Sequence, residues 1–394
     1  MPPMRHFVSI QDLSNDEIEI LFVLADKMAR FLHQSHGVLA GYILGSLFYE
    51  PSTRTRLSFE SAMNRLGGRV ITMSDPRSSS AAKGETLADS VRIVGSYTDI
   101  IVLRHPHPGA ARVAAEYSPV PVVNAGDGGH EHPTQTLCDL YTLRQSKGRI
   151  TGLRVILYGD LKYGRTTHSL AVALARMGAD VLCVAEQGLE LPDFVLEQVL
   201  DETGRKATQV ELVNDKVFRG AARRGTLFAG DPSAWGDRDG VLDLATLACD
   251  ALYVTRLQRE RLEGAERERA SSLPPVDRAF LEFPGFSDTV VLHPLPRVDE
   301  IDYDVDKDPR GLYFRQAALG VPIRMALISL LLGRETMRAD GPVQVAPEAA
   351  VPGERCSEPR CIVNVESRCL ELKVRSTRAG ERRCHYCDAA LVRG

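Results

Sequence analysis

Between residues 41 and 186, short β-branched or apolar runs alternate with segments of helical periodicity. A strand–helix–strand repeat builds parallel strands whose sheet is covered by helices on both faces. The alternation therefore predicts an α/β fold of doubly wound parallel sheets. Ligands in such folds bind at the carboxyl ends of the strands, so the residues that follow each strand are the first candidates for a functional site.

The predicted elements follow one another with short connections. Strands are expected at 43–48, 69–73, 99–104, 120–124, 153–158, 180–184, 251–255 and 289–292. Helices are expected at 57–66, 86–97, 134–145 and 166–177, and a long amphipathic helical region at 314–333 with a kink or restart at Pro322. The segment 188–250 is irregular and gives no clear prediction.

Turns and composition divide the chain into five parts. The predicted organisation is a first α/β domain at 1–148, a second at 149–312, a long helix at 313–336 that returns to the first domain, a linker at 337–353 and a small module at 354–394. The boundary at 148 rests on a turn-rich stretch, and the linker is rich in Pro, Ala, Gly and Val without periodicity.

Composition excludes several classes of protein. The net charge is 48 − 52 = −4, so no nucleic-acid partner is expected. No apolar run approaches the ~20 residues of a membrane span, and none of the first residues resembles a signal peptide, so no membrane partner and a cytoplasmic location are expected. Cys138, Cys183 and Cys249 stand in apolar surroundings and are predicted to be buried thiols in a reducing compartment.

The sharpest motif is Ser52-Thr53-Arg54-Thr55-Arg56, which follows the predicted strand ending at Phe48 and the strand-breaking Pro51. A helix that begins here presents free backbone N–H groups and the positive end of its dipole, and both favour phosphate. The hydroxyls and Arg54 add charge-assisted donors. A purely structural alternative is that Ser52 is only a helix N-cap.

This run resembles the phosphate-binding motif of the carbamoyltransferases, and other segments resemble aspartate carbamoyltransferases in order and spacing over residues 5 to 335. Those segments are Lys83-Gly84-Glu85-Thr86, Arg104-His105-Pro106, His132-Pro133-Thr134-Gln135, Gly159-Asp160-Leu161-Lys162-Tyr163-Gly164-Arg165, Thr255-Arg256-Leu257-Gln258 and the run 293–300. Ornithine enzymes of the family typically carry a cysteine directly after the histidine of the last motif. Pro294 stands there in this chain, so the resemblance implies transfer of a carbamoyl group from carbamoyl phosphate to aspartate, in pyrimidine synthesis.

The resemblance also implies the site residues. Carbamoyl phosphate would bind Ser52, Thr53, Arg54, Thr55, Arg104, His132, Gln135 and the segment Pro294, Leu295, Pro296, and aspartate would bind Lys83, Arg165, Thr166, Arg256 and Gln258. Among these, Arg54, Thr55, Arg104 and His132 would be catalytic, and no catalytic metal is implied. Without the resemblance, His132 is equally well a structural residue before a helix, and Lys83 a solvated charge.

The implied assembly is a homotrimer. In the family, the loop that contains Ser79 and Lys83 reaches into the neighbouring subunit's site. His105, His107 and His130 have no matched role and are expected at the surface or in loops.

The C-terminal module carries two cysteine pairs. Cys356 and Cys361 are separated by four residues, Cys384 and Cys387 by two, and 22 residues lie between the pairs. This spacing is typical of a structural, tetrahedral zinc site; disulfides and simple burial are the alternatives. Cys369 is unmatched, and Val363, Val365, Leu370, Leu372 and Val374 alternate as in short strands.

The cysteine pattern resembles the zinc domain of the aspartate carbamoyltransferase regulatory chain. The resemblance implies a structural zinc module at a subunit interface, with a dimer of trimers through this module as an open alternative. The nucleotide-binding part of that regulatory chain has no counterpart, so no nucleotide effector site is expected. A nucleic-acid zinc ribbon is disfavoured, because nine basic and six acidic residues after residue 352 give only +3.

Two further features bear on function. The stretch from Arg165 to Arg256 is longer than in typical family members, with the extra residues expected in 188–250, and the mobile closure loop of the family is expected within 259–288. The alternatives to the implied reaction are a carbamoyltransferase for another amino acid and a silent scaffold of the same fold. None of the matched positions is lost, which favours an active enzyme.

Overall fold

The computed structural model describes residues 5–30, 32, 37–73, 83–213, 224–230, 235, 241–243, 247–262, 273–335 and 346–393. The chain forms two compact units, one of Met1–Cys138 with Leu319–Gly394 and one of Asp139–Ala318. The predicted boundaries at 148, 312, 336 and 353 stay predictions. Ser79 and part of the expected closure loop and of the linker lie outside the described residues.

The first unit contains a four-stranded parallel sheet with the order β2-β1-β3-β4. Its elements are α1 Asn15–Arg30, β1 Ile43–Phe48, α2 Thr53–Arg65, β2 Arg69–Met73, α3 Leu87–Gly95, β3 Ile100–His105, α4 Ala110–Tyr117, β4 Val122–Asp127 and the start of α5 Pro133–Lys147. The central strands β1 and β3 are almost fully buried, as expected for parallel strands covered on both faces.

The second unit contains a seven-stranded sheet with the order β11-β10-β5-β6-β8-β7-β9. Its elements are β5 Arg154–Tyr158, α6 Arg165–Arg176, β6 Asp180–Val184, α7 Asp193–Thr203, β7 Thr208–Val213, β8 Arg224–Phe228, β9 Val241–Asp243, β10 Ala251–Val254, α8 Arg278–Leu281 and β11 Val290–Leu292. Strands β11, β10, β5 and β6 are parallel, which confirms the predicted fold class.

The segment 188–250 is more regular than its sequence indicates. It contains α7 and the strands β7, β8 and β9, and β8 runs antiparallel to both β6 and β7. In β7, exposed Gln209 and Glu211 flank buried Val210, so only one face of this strand is buried. Antiparallel strands at the side of a sheet are short and half polar, and such a pattern is weak in a sequence.

The C-terminal module consists of β12 Glu348–Ala349, β13 Glu354–Cys356, α10 Ile362–Val365, β14 Lys373–Ser376, β15 Arg382–Cys384 and β16 Leu391–Arg393. Strands β12, β14 and β15 form one antiparallel sheet, and β13 pairs with β16. The expected strand alternation is wrong for Val363 and Val365, which lie in the short helix α10. Ile362 and Val363 are both buried there while Val365 is exposed, so their spacing follows a helical turn.

The long helix α9, Tyr313–Leu331, runs through Pro322 without a second start. Among the described helices it alone has the length and apolar composition of a membrane span, although the longest unbroken apolar run in the sequence is short. Of its most apolar window, 61% is buried inside the protein, as in the core helix of a folded domain. Within the described residues, 3-10 helices span Ile10–Asp12, Arg259–Arg261, Pro284–Phe286 and Tyr303–Lys307.

Candidate active site

The start of α2 in the first unit is an open helix N-terminus. Ser52 occupies the N-cap position with an extended backbone (φ −160°, ψ 99°), but its side chain makes no capping hydrogen bond. Thr53 and Arg54 are exposed, and Thr55 is buried beneath them. Because the Ser52 hydroxyl caps nothing, the interpretation of this residue as a simple N-cap has no support, and the first turn offers its N–H groups to an anion.

Arg104 lies beside this turn because β1 and β3 are neighbours. The Tyr49 N–H donates to the Arg104 carbonyl at 2.8 Å, directly after the register pair Phe48 and Arg104. The Arg104 guanidinium donates through Nη1 to the Ala125 carbonyl at 3.2 Å, and Nε lies 3.4 Å from Oε2 of Glu50. Glu50 and the end of β4 therefore fix the direction of this arginine.

His132 lies at the same end of the sheet, after β4. It is buried, and its carbonyl accepts the N–H groups of Gln135 and Thr136 at 3.0 and 3.2 Å, which begins helix α5. Its Nδ1 lies 3.4 Å from Oγ1 of Thr134. The predicted residues Ser52, Arg104 and His132 thus lie at or just after the ends of three adjacent parallel strands, β1, β3 and β4, and this arrangement brings them to one edge of the sheet.

In the second unit, Asp160 joins the loops after β5 and β10. Its carboxylate accepts the N–H of Tyr163 at 2.9 Å and the N–H of Gln258 at 3.1 Å, and the Gln258 side-chain amide donates to the Tyr163 carbonyl at 2.6 Å. Arg165 and Thr166 are buried in the first turn of α6. The loops that carry the predicted residues Arg165, Thr166 and Gln258 are therefore held together, and Arg256 lies in the second loop.

Glycine 159 makes this approach of the two loops possible. It has φ +122°, and a Cβ placed on it would lie 2.2 Å from the Thr255 carbonyl oxygen. An open cavity of about 330 Å³ lies at these strand ends, with Gly159, Asp160, Thr255 and Leu257 among its lining residues. No other residue type has the backbone freedom and the small size that this position requires.

The His293 segment has an ordered hydrogen-bond arrangement. The Leu295 N–H donates to Nδ1 of His293 at 2.8 Å, and Nε2 lies 2.6 Å from Oε1 of Glu300. Nδ1 therefore acts as an acceptor, and Nε2–H is the donor to Glu300. Burial raises the pKa of Glu300, but the interactions with His293 and the hydrogen bonds from backbone N–H groups together outweigh it and lower the pKa overall. This pair shapes the turn at Pro294, Leu295 and Pro296.

Sequence reasoning missed three acidic residues that position the site. Glu50, Asp160 and Glu300 all stand inside the quoted motifs or next to them, yet each acts through a partner far away along the chain or through backbone N–H groups. Spacing alone does not reveal such contacts. Lys83 is described and exposed, and Ser79 is not described.

The expectation of a surface or loop position is wrong for His105, which is buried in β3 with 7% of its surface exposed. His130 lies in the loop after β4, as expected, but only 4% of it is exposed, and His107 is half-buried. Burial lowers the pKa of His105 to about 3, so its ring is neutral. The ring of His130 lies between two carboxylates, those of Asp127 and Asp388, at 3.2 and 2.8 Å. Because residue 388 lies in the C-terminal module, no local pattern around His130 indicates its burial.

The four predicted cysteines form one cluster. The Sγ atoms of Cys356, Cys361, Cys384 and Cys387 are buried and lie within 4.8 Å of one another. The Cys356–Cys387 distance is 3.4 Å and the Cys361–Cys384 distance 4.0 Å, far longer than a disulfide bond. A tetrahedral ion with metal–sulfur bonds of ~2.3 Å separates its ligands by ~3.8 Å. The cluster therefore fits a four-coordinate metal, whereas Cys369 is exposed and apart from it.

Replacement of Ser52 by alanine separates anion binding from helix capping. Ser52→Ala removes a hydroxyl that caps nothing, so we expect the free energy of unfolding to change by less than about 0.5 kcal/mol. Thr86→Ala is the matched control, because the Thr86 side chain accepts the Asp89 N–H at 3.1 Å, and its loss costs about 1 kcal/mol. Urea unfolding and calorimetric titration with inorganic phosphate measure both quantities. Phosphate affinity should fall about tenfold in Ser52→Ala. A stability loss equal to that of Thr86→Ala, with unchanged phosphate affinity, would support the N-cap interpretation instead.

Comparisons with known proteins agree with this geometry. Residues 5–145 match the family model of the aspartate/ornithine carbamoyltransferase carbamoyl-P binding domain, and residues 242–331 that of the Asp/Orn binding domain. The aspartate carbamoyltransferase catalytic subunit of Methanopyrus kandleri is 47% identical over 84% of this chain and 97% of its own length, and that of Methanocaldococcus jannaschii is 44% identical over 84% and 98%.

Solved structures show the same relation. The catalytic subunit of the M. jannaschii enzyme is 42% identical over 84% of this chain and 99% of its own, with a TM-score of 0.67. The Trypanosoma cruzi aspartate transcarbamoylase in complex with carbamoyl phosphate is 35% identical over 82% and 95%, with a TM-score of 0.70. With this identity across both α/β domains, the chain belongs to the family of aspartate carbamoyltransferase catalytic subunits.

Proposed function

We propose that the chain transfers the carbamoyl group of carbamoyl phosphate to the amine of L-aspartate, which gives N-carbamoyl-L-aspartate and phosphate. The observation that carries the proposal is the first turn of α2, where the hydroxyl of Ser52 caps nothing and Arg104 lies at the neighbouring strand end. The relatives' names support the same reaction, and the T. cruzi enzyme has been crystallised with carbamoyl phosphate and aspartate together.

The first half of the site holds carbamoyl phosphate. Ser52, Thr53, Arg54 and Thr55 surround the phosphate with backbone N–H groups, hydroxyls and a guanidinium, and all of these stabilise a doubly charged group as it leaves. Gln135 and the backbone around Pro294 and Leu295 hold the carbamoyl amide.

The carbonyl oxygen of carbamoyl phosphate gains negative charge in the transition state. Thr55, Arg104 and His132 donate hydrogen bonds toward it. In other enzymes, one such donor stabilises the transition state by ~2.7–4 kcal/mol. Glu50 and the Ala125 carbonyl hold Arg104 in place, so little reorganisation is needed when the charge develops.

The second half of the site holds aspartate. Arg165 and Arg256 are cations suited to two carboxylates, and Thr166 and Gln258 add hydrogen bonds. The neutral amine attacks the carbonyl carbon, a C–N bond forms, and the bond from that carbon to the phosphate oxygen breaks. The amine proton passes to the departing phosphate, which is the strongest base formed in the reaction.

A side-by-side assay with two acceptors tests the reaction. The wild type should carbamoylate aspartate and leave ornithine unmodified, as measured by carbamoyl product and released phosphate. Arg54→Ala should lower turnover by about 100- to 1000-fold, because it removes a cation from the charge that develops on the phosphate. Circular dichroism should show a folded chain, since Arg54 is exposed. Near-wild-type turnover in Arg54→Ala, or a preference for ornithine, would contradict the proposal.

We also propose a homotrimer in which Ser79 and Lys83 act in the site of a neighbouring subunit. The family resemblance of the 83–86 segment supports this proposal, as does the exposure of Lys83 on its own unit. A cytoplasmic location is proposed as well, since Cys138, Cys183 and Cys249 are buried thiols without a disulfide.

Hybrid assemblies test the shared site. Lys83→Ala and Arg54→Ala subunits should each be inactive alone, since each lacks one part of every site. After mixing, dissociation and reassembly in equal amounts, about one quarter of the sites should combine a wild-type Arg54 with a wild-type Lys83 from the neighbour. Recovered activity near that fraction is the expected result. Each variant mixed with itself is the control, and a mixture as inactive as the controls would show that the site is not shared.

We propose that the cysteine cluster holds one structural zinc ion. Four buried sulfur atoms at near-tetrahedral spacing support this choice, because thiolates prefer soft or borderline ions. Bound zinc would cross-link β13, β15 and the start of α10, and a module this small has too little core to be stable without such a link.

Elemental analysis measures the metal directly. The purified wild type should contain about one zinc per chain. Cys384→Ser should lose most of it, because serine is a poor zinc ligand, whereas Cys369→Ser should retain it, because Cys369 is exposed and lies outside the cluster. A folded wild-type protein without zinc, or equal zinc in both variants, would exclude the proposed metal site.

A further inference from the structure

The C-terminal module, which belongs to the first unit, shares its hydrophobic core with the N-terminal α/β part of that unit. Buried side chains of the module pack in one cluster with buried side chains of α3, β3 and α4. The cluster includes Leu87, Val91, Leu103, Ala110 and Val113 from the first unit and Ile362, Val363, Leu370, Cys384 and Tyr386 from the module. The Ile362 N–H also donates to the Pro108 carbonyl at 3.0 Å. The module is therefore packed into the domain rather than tethered beside it.

A buried ionic network crosses this interface. Asp388, which follows the cluster residue Cys387, has no exposed surface, and its Oδ2 lies 2.8 Å from Nε2 of His130. Arg112 on α4 approaches the same carboxylate at 3.2 Å, and Arg375 on β14 pairs with it from within the module. Asp388 is thus the point at which the module contacts the loop after β4.

The network continues to the residues that precede His132. The other nitrogen of His130 lies 3.2 Å from Oδ2 of Asp127, and Oδ1 of Asp127 accepts the Glu131 N–H at 3.1 Å. The Gly109 N–H donates to Asp127 at 2.8 Å, and Arg112 lies 3.7 Å from Glu131. The loop 127–132 is therefore fixed by ionic contacts, and the next residue after Glu131 is the catalytic His132.

The network combines carboxylates with cationic groups. Its carboxylates include those of Asp127, Glu131 and Asp388, and the cationic groups that contact them are Arg112, Arg375 and His130. Burial opposes a charge on His130, but Asp127 and Asp388 raise the pKa of its ring to about 10. The grouping of His130, Glu131 and Asp388, although compact enough to suggest a metal site, is accordingly an ion-pair network whose cations are already present.

A second contact leads from the module to the segment 83–86, whose Lys83 is proposed to act in the site of a neighbouring subunit. The Glu366 carboxylate, directly after α10, accepts the Leu87 N–H at 3.0 and 3.2 Å. Leu87 begins α3, and the segment 83–86 with Lys83 stands immediately before it. A carboxylate at the start of a helix stabilises its first turn. The module therefore contacts residues close to two segments that carry proposed site residues: the loop before His132 and the start of α3 after Lys83.

We infer that Asp388 is a positioning residue for carbamoyl transfer: through His130 and Arg112 it fixes the loop that carries His132, and so couples the cysteine cluster to carbamoyl-phosphate binding in the same chain. This inference rests on the proposed function for the role of His132. Coupling between two sites is reciprocal, so the metal must favour carbamoyl-phosphate binding by the same factor by which carbamoyl phosphate favours metal binding.

Chelator-buffered zinc titrations with and without carbamoyl phosphate, in the absence of aspartate, test the coupling. In the wild type, saturating carbamoyl phosphate should raise zinc affinity about fivefold or more, within the usual range of coupled sites. Asp388→Asn should abolish this difference, weaken carbamoyl-phosphate binding about tenfold in calorimetry and raise KM for carbamoyl phosphate more than it lowers kcat. Asparagine suits the test because residue 388 has φ +62°, a conformation that Asp and Asn tolerate.

Lys373→Ala is the matched control. Lys373 pairs with Glu116 on α4, so it belongs to the same interface but does not contact the loop 127–132. This variant should keep the coupling between carbamoyl-phosphate binding and zinc binding, even if its overall zinc affinity falls. If Asp388→Asn fails to fold, His130→Gln takes its place, since it removes the cation between Asp127 and Asp388 from the other side of the interface.

The results distinguish the inference from the proposed function. The inference is overturned if zinc affinity in the wild type does not depend on carbamoyl phosphate. It is also overturned if the coupling in Asp388→Asn or His130→Gln stays within twofold of the wild-type coupling. Equal loss of coupling in Lys373→Ala also overturns it, because Asp388 would then act only through general docking. If the coupling is present but aspartate is not carbamoylated, the proposed function fails and Asp388 remains a positioning residue for an anion site.

Discussion

The parallel alignment of β1, β3 and β4 is the constraint on which the first half of the site depends. Parallel strands end at the same edge of a sheet, so whatever follows each strand meets there. In this chain, the first turn of α2 comes after β1, Arg104 lies at the end of β3, and the loop leading to His132 comes after β4. The fold thus provides helix N–H groups, a guanidinium and an imidazole at one edge with few contacts needed to orient them.

Buried charges do the remaining positioning. Glu50 forms an ion pair with the Arg104 guanidinium, Asp160 accepts hydrogen bonds from backbone N–H groups, and Glu300 accepts one from the His293 imidazole. Each of the three carboxylates is at least partly buried. Burial of a carboxylate costs free energy unless the carboxylate is paired and hydrogen-bonded. A buried carboxylate therefore holds the groups that bind to it in fixed positions. The active-site loops are therefore ordered by polar contacts as much as by apolar packing.

The sequence determines some of this architecture visibly and some of it not. Strands such as Ile43–Phe48 and Arg69–Met73 match their prediction because each is a compact β-branched or apolar run with breakers after it. The antiparallel β8 was not predictable, since it pairs with both β6 and β7, which lie earlier along the chain, and no local pattern indicates these pairings. His130 is the clearest failure at the site. Its surroundings in the sequence are glycine and charge, and its burial comes from Asp388, more than 250 residues away.

Gly109 shows that the first unit is shaped for the module as well. It is the N-cap of α4 with φ +85°, and a Cβ on it would lie 2.7 Å from Cβ of Tyr386. The Gly109 backbone therefore lies too close to Tyr386 of the module for a side chain to fit between them. The Gly109 N–H donates to Asp127 at the same place. A single position thus serves both the packing of Tyr386 and the network behind His132. Since the family-model matches end by residue 331, this contact joins the matched catalytic domains to a segment beyond them. Cys384 and Cys387 of the cysteine cluster flank Tyr386 at this interface, and Asp388 follows them directly.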